Sequence, residues 1–171
     1  MNRPAFVGQS IPRLEDERFL TGTAQFTADI DLPGQAFAVV LRSPHAHALI
    51  RRVETAEASG MVGVLGVFTA ADLRQRGILH ISSATENDTN ADGSPVPEKP
   101  QYPLATDRVR YVGEPGALIV AETPAAAEEA AEQVYVDYEE LAAVTDGYRA
   151  LDPDAPELWP EHGGNLSCRW G

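Results

Sequence analysis

An α/β fold is predicted from the sequence: a mixed sheet with helices on one face and an extended arm at each end. Three observations lead to it. Short apolar runs bounded by glycine or proline recur along the chain, as in buried strands. Two well-capped helix starts stand between such runs. The length of 171 residues suits one domain with tails.

Five or six strands are expected. The clearest is the continuous apolar run 37–41, which follows the turn dipeptide Pro33-Gly34 and is typical of a strand buried on both faces. The last alternates Val134, Val136 and Tyr138 with polar residues. The others lie at 48–53, 61–67, 109–112 and 117–121, and a single helical turn is expected at 55–60.

Both helices have specific start signals. Thr69 is placed to cap the first, with Asp72 three residues later, and Gly77 is placed to end it. Thr123 followed by Pro124 starts the second, which carries an alanine face and a glutamate face. Because its alanine face is small, this second helix is expected to lie close against the sheet.

The ends of the chain and one internal loop differ from this pattern. Residues 1–25 are interpreted as an N-terminal arm, 26–150 as the domain, and 151–171, with three prolines and two consecutive glycines, as a linker. Residues 78–103 hold few apolar and many turn-forming residues. A loop of that length in a compact domain is typical of a functional or a disordered segment.

Composition argues against several classes of function. With 13 Lys+Arg against 26 Asp+Glu, the net charge of −13 repels phosphate backbones and disfavours nucleic acid as a partner. No apolar run is long enough to span a membrane, and the N-terminus shows no apolar secretory segment. A single cysteine, Cys168, excludes an internal disulfide and a four-thiolate iron–sulfur cluster, and it fits a reducing, cytoplasmic location.

No motif assembles an active site. His45 and His47 have the spacing that places two imidazoles on one face of a strand, as in zinc or copper sites, but no cluster of further ligands accompanies them. The glycine series that starts at Gly60 lacks the dinucleotide-binding spacing, and the only lysine, Lys99, is not in a phosphate-binding loop. The sequence therefore predicts no catalytic, cofactor-binding or metal-ligating residue in this chain.

Four segments of the chain, in the same order, resemble the large subunits of molybdenum hydroxylases of the xanthine dehydrogenase and aldehyde oxidase family. The resemblance extends over roughly residues 8 to 150 and is greatest to the bacterial branch with separate subunits, which includes aerobic carbon monoxide dehydrogenases. The segments are TGTAQFTADIDLPG (21–34), LRSPHAHA (41–48), VRYVGEP (109–115) and VYVDYEEL (134–141).

The resemblance implies an α/β hammerhead domain, which has an accessory, structural role in its parent subunit. The parent enzyme is then an oxidoreductase that oxidises a small aldehyde, a heterocycle or carbon monoxide with water as the oxygen source. It implies a molybdopterin cofactor in the later domains of the same subunit, toward which 151–171 would lead, and iron–sulfur clusters and FAD in partner subunits. The family's catalytic residues lie in those later domains and carry over to no position here.

Two surfaces are candidates for contact with the rest of such an enzyme. The corner Gly113, Glu114 and Pro115 is a candidate domain interface, since a glutamate between glycine and proline is held extended and is expected to face a partner. The alternative for this corner is a solvent-exposed tight turn. The resemblance implies that the long loop approaches the substrate funnel, and its residues able to pack there are Ile78, Leu79, Ile81, Val96 and Tyr102. The alternative for this loop is a surface insertion without a role. The alternative is an independent ligand-binding or interaction domain without catalytic role.

Overall fold

The computed structural model describes residues 6, 8–82 and 88–169, and the chain divides into two compact units, Met1–Gln35 and Ala36–Gly171. The expected divisions after residues 25 and 150 stay predictions. The first unit is less extended than expected, since it contains the short helix α1 (Asp16–Leu20) and a 3-10 turn at Thr27–Asp29. Local bonds explain the helix, because the Asp16 carboxylate accepts both the backbone amide (3.0 Å) and the guanidinium (2.9 Å) of Arg13.

The second unit holds the six strands that the apolar runs predict. They form two three-stranded antiparallel sheets, ordered β1-β5-β3 and β4-β2-β6. The α/β class is confirmed, but the expectation of a single mixed sheet is wrong. The pairing brings together strands that are far apart in sequence, and the periodicity of a strand does not specify which other strand it pairs with. The strands are β1 (Phe37–Arg42), β2 (Ala48–Glu54), β3 (Val64–Thr69), β4 (Arg108–Val109), β5 (Pro115–Ala121) and β6 (Tyr135–Glu140).

The predicted helix starts are confirmed. Helix α2 (Ala56–Ser59) is the expected single turn, and α3 (Ala70–Gln75) follows β3 directly. The amide and the hydroxyl of Thr69 both donate to the Asp72 carboxylate, at 2.7 and 2.6 Å, and Gly77 in the left-handed conformation (φ 76°) follows the end of α3. Helix α4 (Pro124–Glu132) begins where the Thr123 hydroxyl oxygen accepts the amide of Ala126 at 3.1 Å.

The main core lies where α2 and α4 pack against the β1-β5-β3 sheet, as the alanine face of α4 predicts. Ala58 of α2, Ala130 of α4 and Ile119 of β5 are fully buried in one cluster. Such small side chains let the helix backbones approach the sheet closely. A second, smaller cluster around Ala48 and Val109 lies within the other sheet.

A bulge marks the start of β5. Leu41 pairs with Ala117 and Arg42 with Pro115, so Gly116 is the extra residue. A side chain added at Gly116 would begin 3.6 Å from the Tyr138 hydroxyl, an ordinary contact distance. Beyond β6 the described chain contains no further strand, and it forms 3-10 turns at Arg149–Leu151 and Pro160–His162.

Candidate functional site

The connection from β1 to β2 holds both histidines of the His-x-His pair, outside any strand. His47 is 3% exposed; its Nδ1 lies 2.7 Å from the carbonyl oxygen of Ala142, and its Nε2 lies 3.3 Å from a guanidinium nitrogen of Arg108. An Nδ1–H tautomer satisfies both contacts, because it donates to the carbonyl and accepts from the guanidinium. The His45 ring instead lies beside that of Tyr138, with centroids 5.0 Å apart. His47 is thus a structural residue that ties β4 to the segment after β6.

The corner between β4 and β5 contains the predicted interface residues. Gly113 is left-handed (φ 88°), Pro115 begins β5, and Glu114 is 9% exposed. The Glu114 carboxylate accepts the backbone amide of Arg110 and closes the turn from the inside. Burial raises the pKa of Glu114, and the hydrogen bond from Arg110 opposes that rise. The carboxylate therefore points into the domain, where a turn amide needs an acceptor, whereas the interface role of the corner stays a prediction.

The long loop 78–103, of which residues 83–87 lie outside the described part, carries more internal bonds than its composition predicts. Ile81 and Gln101 exchange two backbone hydrogen bonds of 2.8 and 3.2 Å. The His80 ring lies 2.8 Å from the Glu98 carboxylate and packs edge-on against Tyr102, with ring centroids 5.7 Å apart. These contacts bring the two ends of the loop together.

The five loop residues proposed for a funnel wall are only partly brought together. Ile78, Leu79 and Tyr102 line one small apolar hollow at the end of α3, and Ile81 and Val96 do not line it. Three of the five project into solvent, with exposed fractions of 46% for Ile78, 64% for Leu79 and 68% for Ile81. The loop therefore presents apolar side chains at the surface, as a contact segment does.

Basic side chains that the sequence analysis did not single out hold the C-terminal segment. Lys99 is 6% exposed, and its ammonium donates to the carbonyl oxygens of Gly164 (2.6 Å) and His162 (3.1 Å). The guanidinium of Arg110 stacks on Trp159, 3.7 Å from the ring centroid. Residues 149–169 are thus packed and hydrogen-bonded within the second unit. The only feature of the sequence that could have drawn attention to this role of Lys99 is that it is the sole lysine.

The five buried polar residues of the described chain all have partners inside the domain, whereas the buried Nε of the half-buried Arg108 has none. Ser43 donates to the carbonyl of His45, and the Nε of Arg110 donates to the carbonyl of Leu158 at 2.9 Å. The buried groups of His47, Lys99 and Glu114 make the bonds given above. Among residues 6, 8–82 and 88–169, no three histidine, cysteine or acidic side chains are grouped closely enough to hold a metal ion. None of the helices described is long and apolar enough to cross a membrane.

The fold and these contacts define a class of protein: a small α/β domain of two antiparallel sheets whose buried polar groups serve its own structure. Comparison with known proteins specifies the family. Residues 21–142 match the family described as "Aldehyde oxidase and xanthine dehydrogenase, a/b hammerhead domain". The chain belongs to this family, which confirms the family and fold inferred from the sequence.

Several large subunits are similar to this chain. The nicotine 6-hydroxylase large subunit of Paenarthrobacter nicotinovorans is 41% identical over 145 residues, which cover 85% of this chain and 17% of that protein. The carbon monoxide dehydrogenase large chain of Afipia carboxidovorans is 37% identical and covers 85% of this chain and 17% of its own length. The crystal structure of quinoline 2-oxidoreductase from Pseudomonas putida 86 aligns with a TM-score of 0.78 and 34% identity, over 96% of this chain and 20% of that one. The chain spans about a fifth of the length of these relatives.

Proposed function

We propose that this chain is the accessory hammerhead domain of the large subunit of a molybdenum hydroxylase. The observation that carries the proposal is the match of residues 21–142 to this family, together with the small share of each relative that the chain covers. The domain acts mechanically: it holds the remaining domains of the subunit, and the partner subunits, in position.

The parent enzyme oxidises a small substrate with water as the oxygen source. The names of the relatives point to aromatic nitrogen heterocycles and carbon monoxide, and an aldehyde oxidoreductase is among the similar structures. Its partners are the molybdopterin-binding domains of the same subunit and separate subunits that carry FAD and iron–sulfur clusters.

The molybdenum cofactor of this family does not fit the described residues of this chain. A pterin cofactor needs a set of hydrogen-bond donors that are not already engaged. The buried polar residues here are bonded to one another or to the backbone, and the single atom Arg108 Nε is the one buried side-chain donor of the described chain without a partner. We therefore assign the cofactor to the part of the subunit outside this chain and derive no catalytic step here.

The long loop contributes to the substrate funnel in this proposal. Support comes from the exposed apolar side chains of Ile78, Leu79 and Ile81, two of which border the hollow beside Tyr102. Val96, on the returning half of the loop, is held by its amide, which donates to the Asp88 carbonyl at 3.1 Å. The corner at Gly113, Glu114 and Pro115 contacts a neighbouring domain.

A direct test is to follow the reading frame and express its product together with the genes beside it. The complete enzyme should contain stoichiometric molybdenum and oxidise a member of a panel of N-heterocycles, aldehydes and carbon monoxide, whereas the 171-residue chain refolded with cofactor should retain none. A natural protein that ends near residue 171, or a complete product without molybdenum, would leave the alternative of an independent interaction domain.

A further inference from the structure

We propose that Tyr111 and Val112, the tip of the corner between β4 and β5, form an anchor by which this domain docks onto the remainder of its own polypeptide. The proposal rests on the proposed function and goes further by naming the contacting side chains and their occupant. In this proposal the side chains that contact the partner are those of Tyr111 and Val112. The Glu114 carboxylate, which the sequence analysis expected to make that contact, instead supports the turn that carries them.

The tip is apolar and exposed although its surroundings are buried. Tyr111 is 56% exposed and Val112 is 65% exposed, whereas Val109 before them is fully buried and Glu114 after them is 9% exposed. Isolated exposed apolar residues are common, but a tyrosine and a valine side by side on one turn form a projecting apolar knob. Tyrosine is among the residues that most often dominate the binding energy of interfaces.

The backbone of the tip is held rigid from below. The Glu114 carboxylate accepts the Arg110 amide, and the Glu114 amide donates to the Tyr111 carbonyl at 3.2 Å. The Gly113 amide donates to the Ser43 carbonyl at 2.8 Å, and the Ser43 amide donates to the Glu114 carbonyl at 2.9 Å. These bonds tie the tip to the end of β1 and fix both ends of the turn.

Supporting the turn with a buried carboxylate is energetically unfavourable, and a turn with no role at the surface would not need it. Placing a carboxylate away from water is unfavourable, and burial raises the pKa of Glu114 accordingly. A solvent-exposed turn needs only the left-handed Gly113 to close, and water can satisfy the amide of Arg110. A turn whose shape is fixed in advance loses less conformational entropy on binding. The network therefore has the character of a preorganised contact.

The occupant follows from the length of chain outside the structure. The chain covers 17% of the nicotine hydroxylase and carbon monoxide dehydrogenase large subunits, and 20% of the quinoline enzyme chain. In the proposed large subunit, about four fifths of the polypeptide therefore lies outside this chain. A segment joined covalently to this domain contacts it at a high effective concentration, without competition from free partners. The proposal therefore requires an apolar pocket in that remainder, into which the side chains of Tyr111 and Val112 insert.

Hydroxyl-radical footprinting of the complete large subunit tests the proposal. Labelling of Tyr111 should fall about fivefold between the 171-residue chain and the complete subunit, as for a side chain at the core of an interface. Tyr135, which is 55% exposed on β6, is the matched reference for intrinsic reactivity and exposure. Protection of Tyr111 only after partner subunits are added would overturn the choice of occupant, and equal labelling in all samples would overturn the anchor itself.

Paired variants give an independent measurement. Tyr111→Ser with Val112→Ser should lower the urea midpoint of the complete subunit and leave that of the 171-residue chain unchanged. The control pair is Tyr135→Ser with Val62→Ser, since Val62 is 97% exposed, and it should shift neither protein. Equal effects of the two pairs would refute the anchor. A reading frame without a long continuation would instead refute the proposed function, and the docking inference with it.

Discussion

Replacing Lys99 with methionine in the 171-residue chain should lower the free energy of unfolding by about 2–4 kcal/mol. The ammonium donates to two carbonyl oxygens, those of Gly164 and His162. A hydrogen bond from a charged donor contributes about 1.5–3 kcal/mol, part of which offsets the cost of burying the charge. Methionine is similar in length to lysine and leaves little cavity, so the loss is chiefly that of the polar contacts of the ammonium, including its attraction to Glu157.

The same variant has a pH signature. Burial lowers the pKa of Lys99 from its ordinary value of 10.5, so the folded chain releases this proton at a lower pH than the unfolded chain. Between those two pKa values the unfolded state binds more protons, and stability therefore rises with pH in that window. In Lys99→Met, the free energy of unfolding should therefore rise less steeply with pH in that window than in wild type.

Urea melts followed by tryptophan fluorescence and by circular dichroism provide the measurement, since Trp159 lies in the segment that Lys99 holds. The control is Arg52→Met, because the Arg52 side chain is 62% exposed and its ion pair with Glu54 is at the surface. Such a pair contributes at most about 1 kcal/mol. If Lys99→Met and Arg52→Met shift the midpoint equally, the conclusion that Lys99 anchors the C-terminal segment is wrong.

Three further outcomes are expected. Thr69→Ala should lower the free energy of unfolding by about 1 kcal/mol, as is typical of a lost N-cap contact. Because the Thr69 hydroxyl is the main cause of the lowered pKa of Asp72, the variant should also lose less stability than wild type when the pH is lowered through that pKa. Urea melts identical to wild type at both neutral and acidic pH would place the start of α3 elsewhere. The raised pKa of Glu114 makes its contribution to stability fall as pH rises above 4.5. Glu114→Gln should therefore weaken the dependence of the urea midpoint on pH above 4.5, and an unchanged profile would contradict the burial of that carboxylate. Amide exchange over residues 88–98 should be slower in the complete subunit than in the 171-residue chain; equal exchange rates in both would make the loop an insertion without a role in the funnel.

Local structure was largely predictable because its causes are local in sequence. The capping pair Thr69 and Asp72 lies within one helical turn, and so does the Thr123 cap of α4, so residue identity alone indicates where those helices begin. The strands follow in the same way from apolar runs whose length and flanking glycines are visible in the chain. Strand β4 is shorter than predicted, because Arg110 to Gly113 forms the turn that Glu114 closes, and β3 begins three residues later than predicted.

Pairing and long-range polar contacts were not predictable, because their partners are far apart along the chain. Strand β2 pairs with β6 across some 90 residues, and nothing in the periodicity of either distinguishes this from pairing with a neighbour. Lys99 meets Gly164 across 65 residues in the same way. The inward orientation of the Glu114 carboxylate was not predictable either, because the backbone amide of Arg110 lacks another acceptor only once the corner is folded.

By itself, the sequence determined the family, the α/β class, the helix caps and the absence of a recognisable catalytic motif, since all of these depend on residue types at short spacing. The tertiary structure decided that the strands form two sheets, that His47, Lys99 and Glu114 are engaged inside the domain, and that Tyr111 and Val112 project from the corner. The physical reason is that a buried polar side chain must find a partner, and only the folded chain brings such partners within hydrogen-bonding distance.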